Sequence, residues 1–213
     1  MRHKPYPADG EVVTPGTTPR IKLVQYRPVR FFYDTEFIED GSVVELVSIG
    51  IVSETGAEYY ACSTDFNPRS ANSWVRDNVL NQLPGPASDC WKPRSTIRDE
   101  VAAFLLEGHS RSSRPELWAW VGCYDHVVYA QLFGDMGSMP QHLPRFTREI
   151  KQYWEMAGRP KLPAAPQGQH DALVDARHNR ERFAAIHAVA PLDKRGALVN
   201  RSRSTPAPGT VTG

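Results

Sequence analysis

Cysteine is scarce in this chain. Cys62, Cys90 and Cys123 stand far apart among 213 residues, with no Cys-x-x-Cys pair. That spacing argues against a zinc site and against a disulfide framework, and it favours a reducing, cytoplasmic setting. Long apolar runs are missing as well. No stretch approaches the ~20 residues that a membrane-spanning helix needs, so no membrane partner is expected. The N-terminus carries Arg2 and Lys4 with no apolar run behind them, which excludes a secretory signal. There is no internal repeat.

What is present reads as one soluble domain. Hydrophobic residues make up 40% of the chain and charged residues 23%, an ordinary composition for a globular protein of this length. The net charge of +1 is unevenly spread. Residues 1–30 carry a balance of +4 and residues 191–213 one of +3, which leaves 31–190 at −6. An acidic centre suits a nucleic-acid enzyme only where bound cations neutralise some of its carboxylates. Residues 1–29 mix Pro, Gly and Thr without apolar periodicity, and 191–213 end in a Pro-, Ser- and Thr-rich tail. Both are expected to be disordered, basic extensions of a domain spanning 30–190.

Within that domain, strand and helix signals alternate. Phe31–Phe37, Val43–Val52 and Tyr59–Ser63 predict an antiparallel three-strand meander, the last two joined at the Thr55-Gly56 turn. A helix is expected near Trp74–Leu83, before Pro84-Gly85-Pro86. Thr96 to Asp99 has capping-box spacing, and Ile97, Val101, Phe104 and Leu105 recur at helical intervals until Gly108. Leu117–Val121 predicts an aromatic strand, with helices over about 125–133 and 146–156. A last helix starts near Asp171. Strands followed by alternating helices and strands predict a single α/β domain, a mixed sheet flanked by helices.

Asp34 and Glu36 lie two apart in Phe31-Phe-Tyr-Asp-Thr-Glu-Phe37, so strand geometry points both carboxylates to one face. Two such oxygens on a rigid strand suit a hard divalent cation, although the pair taken alone fits a solvent-facing strand end better. Asp125 follows Gly122 where a helix should start, and taken alone it fits a helix N-cap. His170-Asp171-Ala-Leu-Val-Asp175 opens the last helix, with Asp171 as the natural cap and Asp175 one turn inside.

Together these three pieces resemble the exonuclease motifs of the DEDD superfamily, in the DEDDh subclass where a His stands five residues before the last Asp. Tyr33-Asp-Thr-Glu-Phe-Ile38, Glu45-Leu-Val-Ser-Ile-Gly50, Glu116-Leu-Trp-Ala-Trp-Val-Gly122, Pro144-Arg-Phe-Thr-Arg-Glu149 and His170-Asp-Ala-Leu-Val-Asp-Ala-Arg177 are similar to the compact actinobacterial 3'→5' exoribonucleases of the AS type. The resemblance covers residues 29–188. It implies an RNase H-like fold, two divalent cations (Mg²⁺ or Mn²⁺), and a homodimer. It also implies release of nucleoside 5'-monophosphates from single-stranded RNA 3' ends or 3' overhangs. In that scheme Asp34 bridges both metals. Glu36 and Asp175 hold the water-activating one, Asp125 holds the other, and His170 is the general base. Glu36, Phe37 and His170 would contact the substrate. The chain departs from the wider superfamily at Val121, often Asn there, and at Phe37, often Thr. Phe37 either stacks on a base or sugar or belongs to the core. Arg145, Arg148 and Lys151, and likewise Arg177, Arg180 and Arg182, read as solvated helix faces.

Three alternatives compete. Asp125-His126 and His170-Asp171 contain the dipeptide of His-Asp phosphohydrolases, but those are all-helical and need His-rich helices that this chain does not have. A DEDDh nuclease acting on DNA or on short oligoribonucleotides fits the same motifs. A catalytically silent RNA-binding module would predict a broken acidic position, whereas all four acids and His170 are present.

Overall fold

The computed structural model describes residues 29–107, 114–135, 137–193 and 196–199. Of the expected extensions, 1–29 and 191–213, residues 1–28, 194, 195 and 200–213 lie outside the described residues, as does the helix stop at Gly108. Strand β1 (Val29–Glu39) and strand β2 (Val44–Ser53) form a hairpin, and β3 (Glu58–Ser63) completes the meander. Then come α1 (Ser73–Asn78), β4 (Trp91–Lys92), α2 (Arg94–Leu106) and β5 (Pro115–Ala119). The series closes with α3 (Cys123–Gln131), β6 (Thr147–Glu149), α4 (Ile150–Met156) and α5 (Ala172–Val189). The sheet order is β4-β3-β2-β1-β5-β6. Pairs β1–β2 and β2–β3 are antiparallel, whereas β1–β5, β5–β6 and β3–β4 are parallel. This is the expected mixed sheet: an antiparallel meander, then parallel strands, flanked by helices.

The alternation of β1 decides which side carries the chemistry. Phe31 and Tyr33 point into the larger core with Ile97, Val101 and Leu105 of α2 and Val128 and Tyr129 of α3. Phe32 points the other way, against Trp118, Ile150, Tyr153 and Phe183. Asp34 and Glu36 share the parity of Phe32 and so fall on the α5 side. A bulge between Glu36 and Phe37, where the register on β2 skips Val47, bends the strand just past the acidic pair. Beyond it, Ile38 and Val47 pack with Ala71, Val75 and Val79 beneath α1.

Gly50 on β2 permits the close approach of α5. A Cβ there would stand 2.3 Å from the Ala172 carbonyl oxygen and 2.5 Å from Leu173 Cα, so only glycine lets the helix start this close to the sheet. Asp171 is the α5 cap, as expected: its Oδ1 accepts from the Leu173 and Val174 N–H groups.

Several local expectations need correction. The α2 helix starts two residues before Thr96, and Asp65 Oδ2 accepts the Arg94 N–H at 2.9 Å, so the capping-box reading fails. The helix expected over 74–83 breaks at Val79 into a 3₁₀ turn, Leu80–Gln82. The segment expected to be helical from 146 starts as β6, with α4 beginning only at Ile150 because Thr147–Glu149 pair with β5. Leu192 bridges Leu198, and both pack on the cluster around Phe183.

Candidate active site

Five side chains named from sequence alone meet in one cleft of about 470 Å³: Asp34, Glu36, Asp125, His170 and Asp175. They arrive on three separate elements. β1 carries the first two. Asp125 sits in the first turn of α3, whose N-cap is Gly122, so the N-cap alternative for Asp125 does not hold. Instead Asp125 Oδ1 accepts two hydrogen bonds from Thr35, from its N–H at 2.7 Å and its hydroxyl at 2.8 Å. Asp125 is only 6% exposed and Glu36 8%, so both carboxylates are out of bulk water.

His170 and Asp175 come from the entry to α5. His170 has φ +69°, a left-handed conformation uncommon outside glycine, and its N–H donates to Asp175 Oδ2 at 2.8 Å. Gln82 Nε2 donates to the neighbouring Gln169 carbonyl at 2.9 Å, and the Trp74 ring meets the His170 ring edge-on at 4.8 Å between centres. Backbone strain held by surrounding contacts is a recurrent mark of functional sites. One donor atom each from Glu36, His170 and Asp175 lie within 4.8 Å of one another, a spacing that a metal ion could span.

The electrostatics point the same way. Burial first, then the charges of Asp175, Asp125 and Asp171, push Glu36 up to about 8. Burial followed by repulsion from Asp125, Glu36 and Asp175 holds Asp34 well above the usual carboxylate range, with Arg182 pulling the other way. Burial lifts Asp125 to about 6 even though the Thr35 hydrogen bonds favour its ionised form. Carboxylates so placed repel one another unless protons or cations intervene. Perturbed acids gathered in a cleft are the physical signature of a functional centre.

Glu149, whose role was not singled out from sequence, supports the cleft from behind. As the α4 cap, it accepts the N–H groups of Val121 at 2.8 Å, Gly122 at 3.0 Å and Lys151 at 2.9 Å. It thereby fixes the loop that leads to Asp125. Val121 has φ +56° and is exposed, a left-handed position that Asn tolerates better than Val. Phe37 lines the cleft, half-buried, and stacks on exposed Tyr124 at 5.4 Å and 15°; it touches both the core and the open face. Arg182, expected on a solvated face, lies in the cleft over Trp120, the guanidinium carbon 4.6 Å from the ring centre. Arg148 leaves its expected helix face for β6, where it pairs with Glu116 at 2.9 Å. Arg177 forms a two-point pair with Glu58. Phe37, Val121, Arg148, Glu149 and Arg177 stood in motifs, whereas the signal that brings Arg182 into the cleft, its contacts with Trp120 and Asn179, is spatial.

Four carboxylates, of which Glu36 and Asp125 are buried, gather with a histidine in one cleft beside a mixed sheet, an arrangement that suits a phosphodiester-cleaving enzyme. The particular family follows from comparison with known proteins. The model of the Rv2179c-like 3'-5' exoribonuclease domain matches residues 29–187. Two Mycobacterium tuberculosis proteins, the 3'-5' exoribonucleases Rv2179c (strain ATCC 25618 / H37Rv) and MT2234.1 (strain CDC 1551 / Oshkosh), are each 54% identical over 159 residues. Each alignment covers 74% of this chain and 93% of the relative. The chain belongs to the Rv2179c-like 3'-5' exoribonuclease family. Among solved structures, Schizosaccharomyces pombe Pop2p in its Mg²⁺- and Mn²⁺-bound form overlays with a TM-score of 0.49 at 10% identity, over 75% of this chain and 82% of that one. A 3'-exonuclease that recognises the histone mRNA stem-loop overlays at 0.49 and 13%, over 87% and 95%. The family assignment rests on the family model and the mycobacterial relatives.

Proposed function

We propose that this protein hydrolyses RNA from single-stranded 3' ends or 3' overhangs and releases nucleoside 5'-monophosphates, with Asp34, Glu36, Asp125 and Asp175 holding two divalent cations and His170 acting as general base. The observation that carries this reading is the convergence of the four carboxylates and His170 in one cleft, three of them presenting donor atoms within 4.8 Å of one another.

The residues fit the cations on chemical grounds. Hard oxygen donors suit Mg²⁺ or Mn²⁺, and the raised Asp34, Glu36 and Asp125 mark negative charge in need of a counter-charge. Asp34 would serve both cations, Glu36 and Asp175 the one that activates water, and Asp125, on the side of α3, the other. When bound, two such cations stabilise the attacking and leaving oxygens of an in-line displacement.

The rest of the chemistry belongs to the protein. His170 is carried on a left-handed backbone, with its N–H tied to Asp175 and its ring edge-on to Trp74, so the ring is pre-positioned rather than searching. A neutral imidazole at that place would accept a proton from the attacking water. Phe37, stacked on Tyr124, gives an aromatic platform for the terminal base that tolerates any sequence. Glu36 and His170 border the same space and would meet the terminal sugar. The homodimer is proposed on the family resemblance and the cytoplasmic setting on the sparse, unpaired cysteines; light scattering of the purified protein tests the first and cell fractionation the second.

The test uses full-length protein with 3'-labelled and 5'-labelled RNA, in Mg²⁺, Mn²⁺ or chelator. The expected result is stepwise, cation-dependent release of labelled monophosphate from the 3' end. Release that persists in chelator, or cuts within the chain, would sink the proposal. The same assay on DNA and on dinucleotides reads the alternative substrates.

A further inference from the structure

Arg182 is the one guanidinium among the described residues that line the cleft, facing Asp34, Glu36, Asp125 and Asp175. It is held from two sides. Its Nη1 donates to Asn179 Oδ1 at 3.0 Å, and the guanidinium lies over the Trp120 ring. Asn179 is itself buried and donates to the carbonyl of Tyr33, the residue before Asp34, at 3.1 Å. The cation is therefore referenced to the strand that carries the acidic pair.

What Arg182 leaves undone is informative. A guanidinium offers five N–H donors in a planar fork. Among the described residues its hydrogen bond goes to Asn179, and no carboxylate of the cleft comes within the 4.0 Å of an ion pair. It nevertheless lies near enough to Asp34 and Asp175 for their charges to act on it. An arginine that is oriented, stacked and partly withdrawn from water, beside four acids and bonded to none, has its fork available for an anion. A phosphodiester matches that fork as a carboxylate does, and the carboxylates of the cleft stand beyond ion-pair distance of it.

We propose that Arg182 contacts the scissile phosphate, donating to a non-bridging oxygen of the 3'-terminal phosphodiester and then to the 5'-phosphate of the released nucleotide. The contact deepens the nuclease reading above and rests on it for the identity of the phosphate. Asp34 and Asp175, the acids Arg182 senses, are those proposed to hold the cations and hence the reacting group. The contact strengthens as negative charge builds on the phosphoryl oxygens, so Arg182 adds to the stabilisation of the transition state.

The experiment compares binding of AMP and of adenosine to full-length protein in Mn²⁺ by titration calorimetry, for wild type, Arg182→Met, Arg182→Lys and Arg177→Met. The wild type is expected to prefer AMP. Arg182→Met should lose about tenfold or more of AMP affinity and none of adenosine affinity, the scale of one charge-assisted contact. Arg182→Lys should fall between, because an ammonium keeps the charge and loses the fork. Arg177→Met should match wild type. Equal losses for AMP and adenosine, an unchanged AMP affinity in Arg182→Met, or a wild type without preference for AMP would each overturn the proposal. Where Arg182→Met fails to fold, the AMP-to-adenosine ratio of Arg182→Lys decides: a ratio below wild type supports the contact, and an unchanged ratio overturns it. Turnover is not needed for this readout. A protein that binds AMP through Arg182 yet degrades no RNA refutes the nuclease reading and leaves the phosphate contact standing.

Discussion

Thr35 donates twice to a single oxygen of Asp125, through its N–H at 2.7 Å and its hydroxyl at 2.8 Å. The residue between the two strand acids thus holds the helix acid. The arrangement leaves the second Asp125 oxygen free of Thr35 and fixes α3 to β1. Thr35→Val removes the hydroxyl and keeps the backbone donor. It should cost about 1 kcal/mol of stability, read by urea unfolding. Activity or cation affinity should fall about tenfold, the usual cost of losing a partner of a metal-binding carboxylate. Wild-type activity in Thr35→Val would show that the backbone bond alone positions Asp125.

The raised carboxylates make the cation-free protein weaker at high pH. Glu36 rises from 4.5 to about 8 and Asp125 from 3.8 to about 6 on folding. Between the unfolded and folded values the native state binds more protons than the unfolded chain, so stability falls as pH rises. The contribution of these two groups is complete below about pH 4 and is lost as pH passes through about 6 and then about 8. Cations require ionised ligands and reverse this at the alkaline end. Thermal unfolding in chelator should therefore show a Tm contribution that declines from pH 5 to pH 8. Mg²⁺ or Mn²⁺ should raise Tm more at pH 8 than at pH 5. A cation effect of equal size at both pH values would contradict the assignment of these groups as ligands.

His170 can be separated from its backbone. Removing the imidazole should lower kcat about 10²- to 10⁴-fold, the range for a general base, with cation binding largely kept. The left-handed φ of +69° adds a second expectation. His170→Gly relieves that strain and should be more stable than His170→Ala by about 1 kcal/mol, with the same loss of activity. Near-normal turnover in either variant removes His170 as the base.

Gly50 tests whether the seat of α5 matters to the site. Gly50→Ala drives a methyl into the backbone of Ala172 and Leu173 at the start of the helix that carries Asp175. The helix must shift, at a cost of about 1–3 kcal/mol. Activity should fall beyond what the loss of folded protein explains, measured as kcat per folded molecule at low temperature.

The local chemistry of β1 to β3 and the Asp171 cap were legible because each follows from short-range rules: alternation, a Thr-Gly turn, and an Asp before an apolar helix. The five candidate site residues were legible as a set, since motif order and element type both constrained them. The rest depended on distant partners. β4 and β6, of two and three residues, exist only because β3 and β5 offer edges. α2 begins at Arg94 because Asp65, 29 positions earlier, receives its first N–H. Arg182 reads as a surface residue from its own helix, and only Trp120 and Asn179 bring it into the cleft.

The proposed two-cation centre is tested most directly by 3'-end release of monophosphate at saturating Mn²⁺ from wild type and Asp34→Ala, both shown folded. Cation-dependent release is expected from the wild type and none from Asp34→Ala, because Asp34 is proposed to serve both cations. Release by Asp34→Ala at a rate close to wild type would contradict that centre.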